Sequence, residues 1–283
     1  MNSESILKLA ENMALRYSKL SQVEAVALGG SQATKSSDGA SDIDLYVYSG
    51  SQLPLADRKS IINGYATRFE LNNQFWEDGD EWIDRKTGIH VDVMFRSIAW
   101  IKDRLDRVLN RYEASVGYST CIWYNVLNSK ILFDRSGWFT NLQKKSLQPY
   151  PEELGRAIVA KNHPVLRKNL SSYVYQLENA AKRNDRISIN HRVAALLASY
   201  FDIIFAVNRL PHPGEKRVLQ IAEVRCKFLP ENMSAQVVQL LDSLTMGDVI
   251  KNALELIDSL DVLLASQSFT TAGGIGDVPK DNI

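Results

Sequence analysis

Apolar and polar positions along the chain fall into two regimes. Residues 4–20 repeat apolar side chains at helical spacing (Ile6, Leu7, Leu9, Met13, Leu15), which predicts an opening helix. "VEAVAL" at 23–28 is a short apolar strand that stops at Gly29-Gly30, and "DIDLYVY" at 42–48 alternates as a second strand. Residues 55–70 read as one helix. "FWEDGDEWID" at 75–84 carries a hairpin-type Asp78-Gly79 signal. "IHVDVMF" at 89–95 alternates again. Helical patterns follow at 97–112 and 119–129, then a short strand, "KILFD", at 130–134.

Strand signals end there. From Pro151 to Ser266 every pattern is helical, with breaks expected at Pro164, at "PHPG" (211–214), at Pro230 and near Gly247. The run "VAALLASYFDIIFAVNRL" at 193–210 contains Ser199 and Asp202, so it predicts a buried central helix and not a membrane span. The fold expected is an α/β (α+β) domain with a mixed sheet over 1–148, an all-helical bundle over 149–267 and a flexible tail over 268–283.

Composition narrows the classes. Of 283 residues 45% are hydrophobic, and 33 Lys+Arg balance 33 Asp+Glu. That is an ordinary globular make-up, without the basic excess needed to track a nucleic-acid backbone. Cys121 and Cys226 are far apart and lack metal-ligand spacing, and the first residues lack the basic start and apolar core of a signal peptide. A cytoplasmic protein with two thiols is the expectation.

Asp42 and Asp44 alter the picture. One residue apart on a strand, they share a face, and two like charges there repel and raise each other's pKa. No cationic partners stand near them in sequence, and a bound divalent metal would turn the repulsion into coordination. Asp92 is one more carboxylate on a later apolar strand. Three such groups meeting on one face would make a hard-oxygen site suited to Mg²⁺. Upstream, Gly29 and Gly30 permit a tight turn and close backbone approach, and Ser31 adds a donor where a helix would begin. Beside metal-bound carboxylates the natural anion is a nucleoside triphosphate.

This order of residues, Gly30-Ser31, ten residues, Asp42-Ile43-Asp44 and then the strand aspartate Asp92, resembles the nucleotidyltransferase superfamily related to DNA polymerase β. The helical second half is similar to that of the two-domain aminoglycoside and lincosamide nucleotidyltransferases and of uncharacterised bacterial relatives. The resemblance implies that Asp42 and Asp44 hold two Mg²⁺ ions on the triphosphate of ATP or another nucleotide. Gly29, Gly30 and Ser31 would then cradle phosphates, and an acceptor hydroxyl would displace pyrophosphate. It implies that Asp92 ligates the second metal or takes the acceptor proton. Lys216 and Arg217, opening a helix after Pro213-Gly214, would bind the triphosphate. The expected partners are a nucleoside triphosphate and a small-molecule acceptor such as an antibiotic, with no membrane and no nucleic acid. The rival readings are an enzyme that adenylylates a protein partner, as in toxin–antitoxin systems, and an inactive nucleotide-binding regulator.

Two weaker signals have bland readings. The acidic run from Glu77 to Asp84 reads as a solvated hairpin sooner than as a lip for a cationic substrate. Arg186 and His191 fit the R-x₄-H spacing of HEPN ribonuclease domains, but they do not share a helix face as residues four apart would.

Overall fold

The computed structural model describes residues 3–30, 42–74, 77–245 and 248–269. The chain divides into two compact units, Met1–Arg107 with Ile122–Pro149, and Val108–Cys121 with Tyr150–Ile283. The segment 108–121 thus belongs with the helical second half, although it lies inside the first half in sequence.

The first unit is built on a six-stranded sheet. Its strands are β1 (Val23–Leu28), β2 (Ile43–Ser49), β3 (Ala66–Asn73), β4 (Gly79–Asp84), β5 (His90–Ser97) and β6 (Lys130–Asp134), in the order β3-β4-β5-β2-β1-β6. Only β2 and β5 pair parallel, so the sheet is mixed as expected. Helix α1 (Ser3–Tyr17) and α2 (Leu55–Ile62) cover one face, where Ile6, Met13, Tyr17 and Ile61 share a core with Ile43, Leu45, Val91 and Val93. Burying each such aliphatic side chain contributes roughly 1.5–3 kcal/mol. Helices α3 (Ile98–Leu109), α4 (Cys121–Asn128) and α5 (Trp138–Ser146) follow. Phe139 of α5 stacks on Tyr48 of β2, with ring centroids 4.7 Å apart.

Two local expectations fail here. The helix expected over 55–70 ends at Ile62, because Asn63 turns extended and Gly64 takes φ +81°, a conformation suited to glycine. Residues 66–73 then form the outer strand β3. Asp78-Gly79 is not the centre of the turn either, since Gly79 already pairs with Asn73 and with Met94.

The second unit is helical, with α6 (Glu152–Arg167), α7 (Tyr173–Lys182), α8 (Arg186–Val207), α9 (Val218–Arg225), α10 (Met233–Asp242) and α11 (Val249–Ser266). Helix α8 is the buried one, with every residue from Ser199 to Val207 inside. Pro164 does not break α6. A proline removes one N–H donor, and here the loss falls in the last turn of a helix whose Leu154, Ile158 and Leu166 are buried. The break near Gly247 and nearly all of the expected tail lie outside the described residues. Among the described residues no helix is long and apolar enough to cross a membrane.

Candidate active site

The sheet's register assembles what the sequence keeps apart. Asp44 on β2 pairs with Asp92 on β5, Asp92 pairs with Glu81 on β4, and Glu81 pairs with Glu70 on β3. Directly paired residues share a face. One acidic row therefore crosses four adjacent strands, on the face opposite the Ile43 and Val91 core.

Asp92 stands in the middle of that row. Among the described residues it accepts no hydrogen bond and meets no lysine or arginine. Burial, then Glu81 and Asp44, push its carboxyl up to about 6, and His90 opposes them. His90 lies between two carboxylates, with Nδ1 3.9 Å from Asp42 Oδ2 and Nε2 3.4 Å from Glu81 Oε2. Asn73 also donates to Glu81 Oε1 at 2.6 Å.

The glycines fit closely against the row. Gly29 N–H donates to the Asp44 carbonyl at 2.8 Å. A Cβ on Gly29 would fall 2.4 Å from the Tyr46 ring. Gly30 has φ +62°, and a Cβ there would fall 1.8 Å from Asp44 Oδ2. The backbone at Gly30 thus lies directly against the Asp44 carboxylate, a closeness that only glycine permits.

Asp42 departs from the expected picture. It precedes β2, and its side chain is 59% exposed, so it is not a buried strand carboxylate. Ser31 lies outside the described residues. Lys216 and Arg217 belong to the helical unit. They do not open a helix: Arg217 sits at φ +55° immediately before α9, which starts at Val218.

The acidic run 77–84 is not a solvated hairpin. Asp80 is fully buried on the core face, where Arg58 donates to it at 2.9 and 2.6 Å and the Asn72 N–H at 2.9 Å. Arg58 is itself buried and also donates to the Gly79 carbonyl at 3.0 Å. Glu77 takes both arms of the buried Arg96 at 2.8 Å. Asp84 caps its own turn through the N–H groups of Lys86 and Thr87. Alternation around the inward Trp82 puts Glu81 on the other face. That alternation is the signal that would have found Glu81; nothing in the sequence marks His90.

Among the described residues no group of three or more His, Cys, Asp or Glu side chains converges closely enough to hold a metal ion. The donor chemistry nevertheless suits a hard divalent cation. The row offers carboxylate oxygens only, and its central member is half-buried with no lysine or arginine partner among the described residues.

Residues 10–114 match the nucleotidyltransferase domain family, and residues 121–217 match a domain of unknown function, DUF4037. No curated protein matches the chain. A nucleotidyltransferase-like protein from Exiguobacterium sibiricum aligns over 94% of this chain and 77% of its own, with 15% identity and a TM-score of 0.44. The CCA-adding enzyme of Thermotoga maritima, solved with tRNA, aligns over 96% and 84%, with 12% identity and a TM-score of 0.33. Neither likeness is close enough to speak to activity.

Proposed function

We propose that this chain, whose residues 10–114 match the nucleotidyltransferase domain family, moves AMP from ATP to a hydroxyl of a small-molecule acceptor, with Asp42, Asp44 and Asp92 as its catalytic carboxylates. The observation that carries this reading is the register pairing of Asp44 with Asp92, which meets no lysine or arginine among the described residues, with Gly30 closed against Asp44.

Asp42, Asp44 and Asp92 would hold the divalent metal, Mg²⁺, that such domains usually use. When bound, it would offset charge on the triphosphate and on the departing pyrophosphate. The chain's own groups do the rest. Gly29 and Gly30 let the backbone approach a phosphate with no side chain in the way, and Ser31 adds a hydroxyl donor. Gly30 leaves room for the Asp44 carboxylate, which any larger residue there would displace. Asp92 would either ligate the metal or take the proton of the acceptor hydroxyl. Positioning and electrostatics supply most of the acceleration in this kind of transfer.

The test is pyrophosphate release from each nucleoside triphosphate with Mg²⁺ and a panel of hydroxyl-bearing acceptors, antibiotics included. Acceptor-dependent release that disappears in Asp44→Asn supports the assignment. Release that no acceptor stimulates, or that Asp44→Asn leaves unchanged, refutes it. Label passing to a protein instead would shift the acceptor class and leave the carboxylates' role intact.

A further inference from the structure

The face that carries the acidic row also carries a chain of contacts that ends at the glycine pair. Asp44, Tyr46 and Tyr48 alternate onto one side of β2, and Asp92, Met94 and Arg96 onto the same side of β5, with Tyr46 paired to Met94 and Tyr48 to Arg96. Successive same-face side chains of β2 therefore back the two glycines. Asp44 lies against Gly30, and the Tyr46 ring lies against Gly29. A Cβ on Gly29 would fall 2.4 Å from ring carbon Cε2, 2.7 Å from Cζ and 2.9 Å from the hydroxyl oxygen.

Tyr46 is buried, and its ring is held in place. The Arg96 guanidinium lies over the ring, 4.0 Å from its centroid, and is 5.4 Å from the ring of Trp100 on α3. Arg96 is itself only 4% exposed. Glu77 accepts from its Nε and its Nη2, each at 2.8 Å. A buried ion pair gains little net stability over apolar packing. What this one supplies is orientation: the two-armed bond fixes the plane of the guanidinium, and the cation then favours one position for the aromatic ring beneath it.

We infer that Glu77, Arg96 and Tyr46 form a positioning chain that sets the Gly29-Gly30 turn at the right height over the acidic row to receive the outer phosphates of the nucleotide. The inference rests on the reading of that turn as the phosphate cradle. Arg96 and Tyr46 act through Gly29 and not on the phosphates themselves. Without Arg96 the ring is free to shift, the turn moves with it, and its N–H groups lose their alignment with the phosphate oxygens, on which hydrogen-bond strength depends steeply.

Calorimetric titration of the full-length protein in Mg²⁺ tests this by comparing α,β-methylene-ATP with AMP, which lacks the outer phosphates. Wild type should favour the triphosphate. Arg96→Met should cut that preference about ten-fold, the worth of one hydrogen bond to a charged oxygen, and leave the affinity for AMP unchanged. Tyr46→Leu should do the same, whereas Tyr46→Phe, which keeps the ring, should behave as wild type. The double variant Arg96→Met/Tyr46→Leu should lose no more than either single one, because both act through one contact. Lost stability alone would weaken both ligands together and leave their ratio intact. A preference that survives Arg96→Met, or that falls as far in Tyr46→Phe as in Tyr46→Leu, would overturn the inference and leave the turn's phosphate role standing. Wild type without any preference would overturn both. If neither Arg96→Met nor Tyr46→Leu folds, Glu77→Gln decides, at a partly exposed side chain: the preference should fall, and an unchanged preference refutes the chain.

Discussion

The two faces of the sheet treat the same chemical group in opposite ways. On the core face Asp80 is completely buried, and Arg58 and the Asn72 N–H satisfy it. On the other face Asp92, one strand away, is half-buried, has no such partner, and lies between two more carboxylates. Asp80 is part of the fold's framework: its charge is matched, and removing either partner would strand the other. Asp92 has no comparable match among the described residues, where His90 alone favours its charged form. What separates the two carboxylates, besides depth, is the neutralising group and not the residue type. Asp202 in the helical unit is an intermediate case. It is buried, with neutral donors only: Ser119 N–H at 3.0 Å, Ser119 Oγ at 2.6 Å and Asn162 Nδ2 at 3.3 Å. Burial pushes it up to about 7, against the pull of the two Ser119 bonds.

The contrast can be broken most strongly at Arg58. Arg58→Ala leaves Asp80 buried and unpaired and should remove about 3–5 kcal/mol of stability in denaturant unfolding. A loss under about 1 kcal/mol would show that the core-face pair is not structural. On the opposite face, Asp44→Asn should lower transfer about 10²- to 10³-fold, the scale of losing one charge-stabilising group, while the melting temperature stays within a few degrees. Gly30→Ala should also depress transfer, because its Cβ meets Asp44 Oδ2 and φ +62° disfavours alanine by about 1–2 kcal/mol. Unchanged transfer in that variant would detach the glycine from the site.

Asp202 gives the contrast a pH dependence. Its folded pKa, about 7, lies above the ordinary carboxyl value of 3.8, so between those values the folded state holds more protons than the unfolded chain. Stability from this group is therefore full below about pH 4 and falls as pH rises toward 7, by at most about 4 kcal/mol. The melting-temperature difference between wild type and Asp202→Asn should drift across that window and be level above it; a flat difference from pH 4 to 8 would contradict the assignment. The smallest effect is expected at Asp92. Asp92→Asn removes a charge the fold disfavours, and above pH 6 it should raise stability by under about 1 kcal/mol after solvent screening. A clear loss of stability would mean that Asp92 is structural after all.

Much of this was legible in the sequence. Gly29-Gly30 after an apolar strand, the Asp42/Asp44 spacing, Asp92 on an alternating strand and the change to helical patterns near 150 are local signals, and local patterning carries them. What was not legible depends on pairing between segments. Glu81 joins Asp92 only through the antiparallel register of β4 on β5, and register depends on turns whose geometry a sequence underspecifies. Asp80 looks like surface charge until Arg58, 22 residues earlier, is folded against it. Asp42 was misjudged because a strand pattern does not reveal that the strand begins one residue later. The segment 108–121 was assigned by its place in sequence, whereas Asn162 and Asp202 tie it to the helical unit: Asn162 Oδ1 accepts the Gly117 N–H, and Asp202 accepts the Ser119 N–H.

The most direct test of the central contrast is calorimetric titration of the full-length protein with Mg²⁺ and a non-hydrolysable ATP analogue, run on wild type, Asp44→Asn and Asp92→Asn. Wild type should bind the metal–nucleotide pair, and both folded variants should lose most of that binding. Undiminished binding in either variant, or no binding by wild type, would contradict the claim that the acidic face is the metal–nucleotide site.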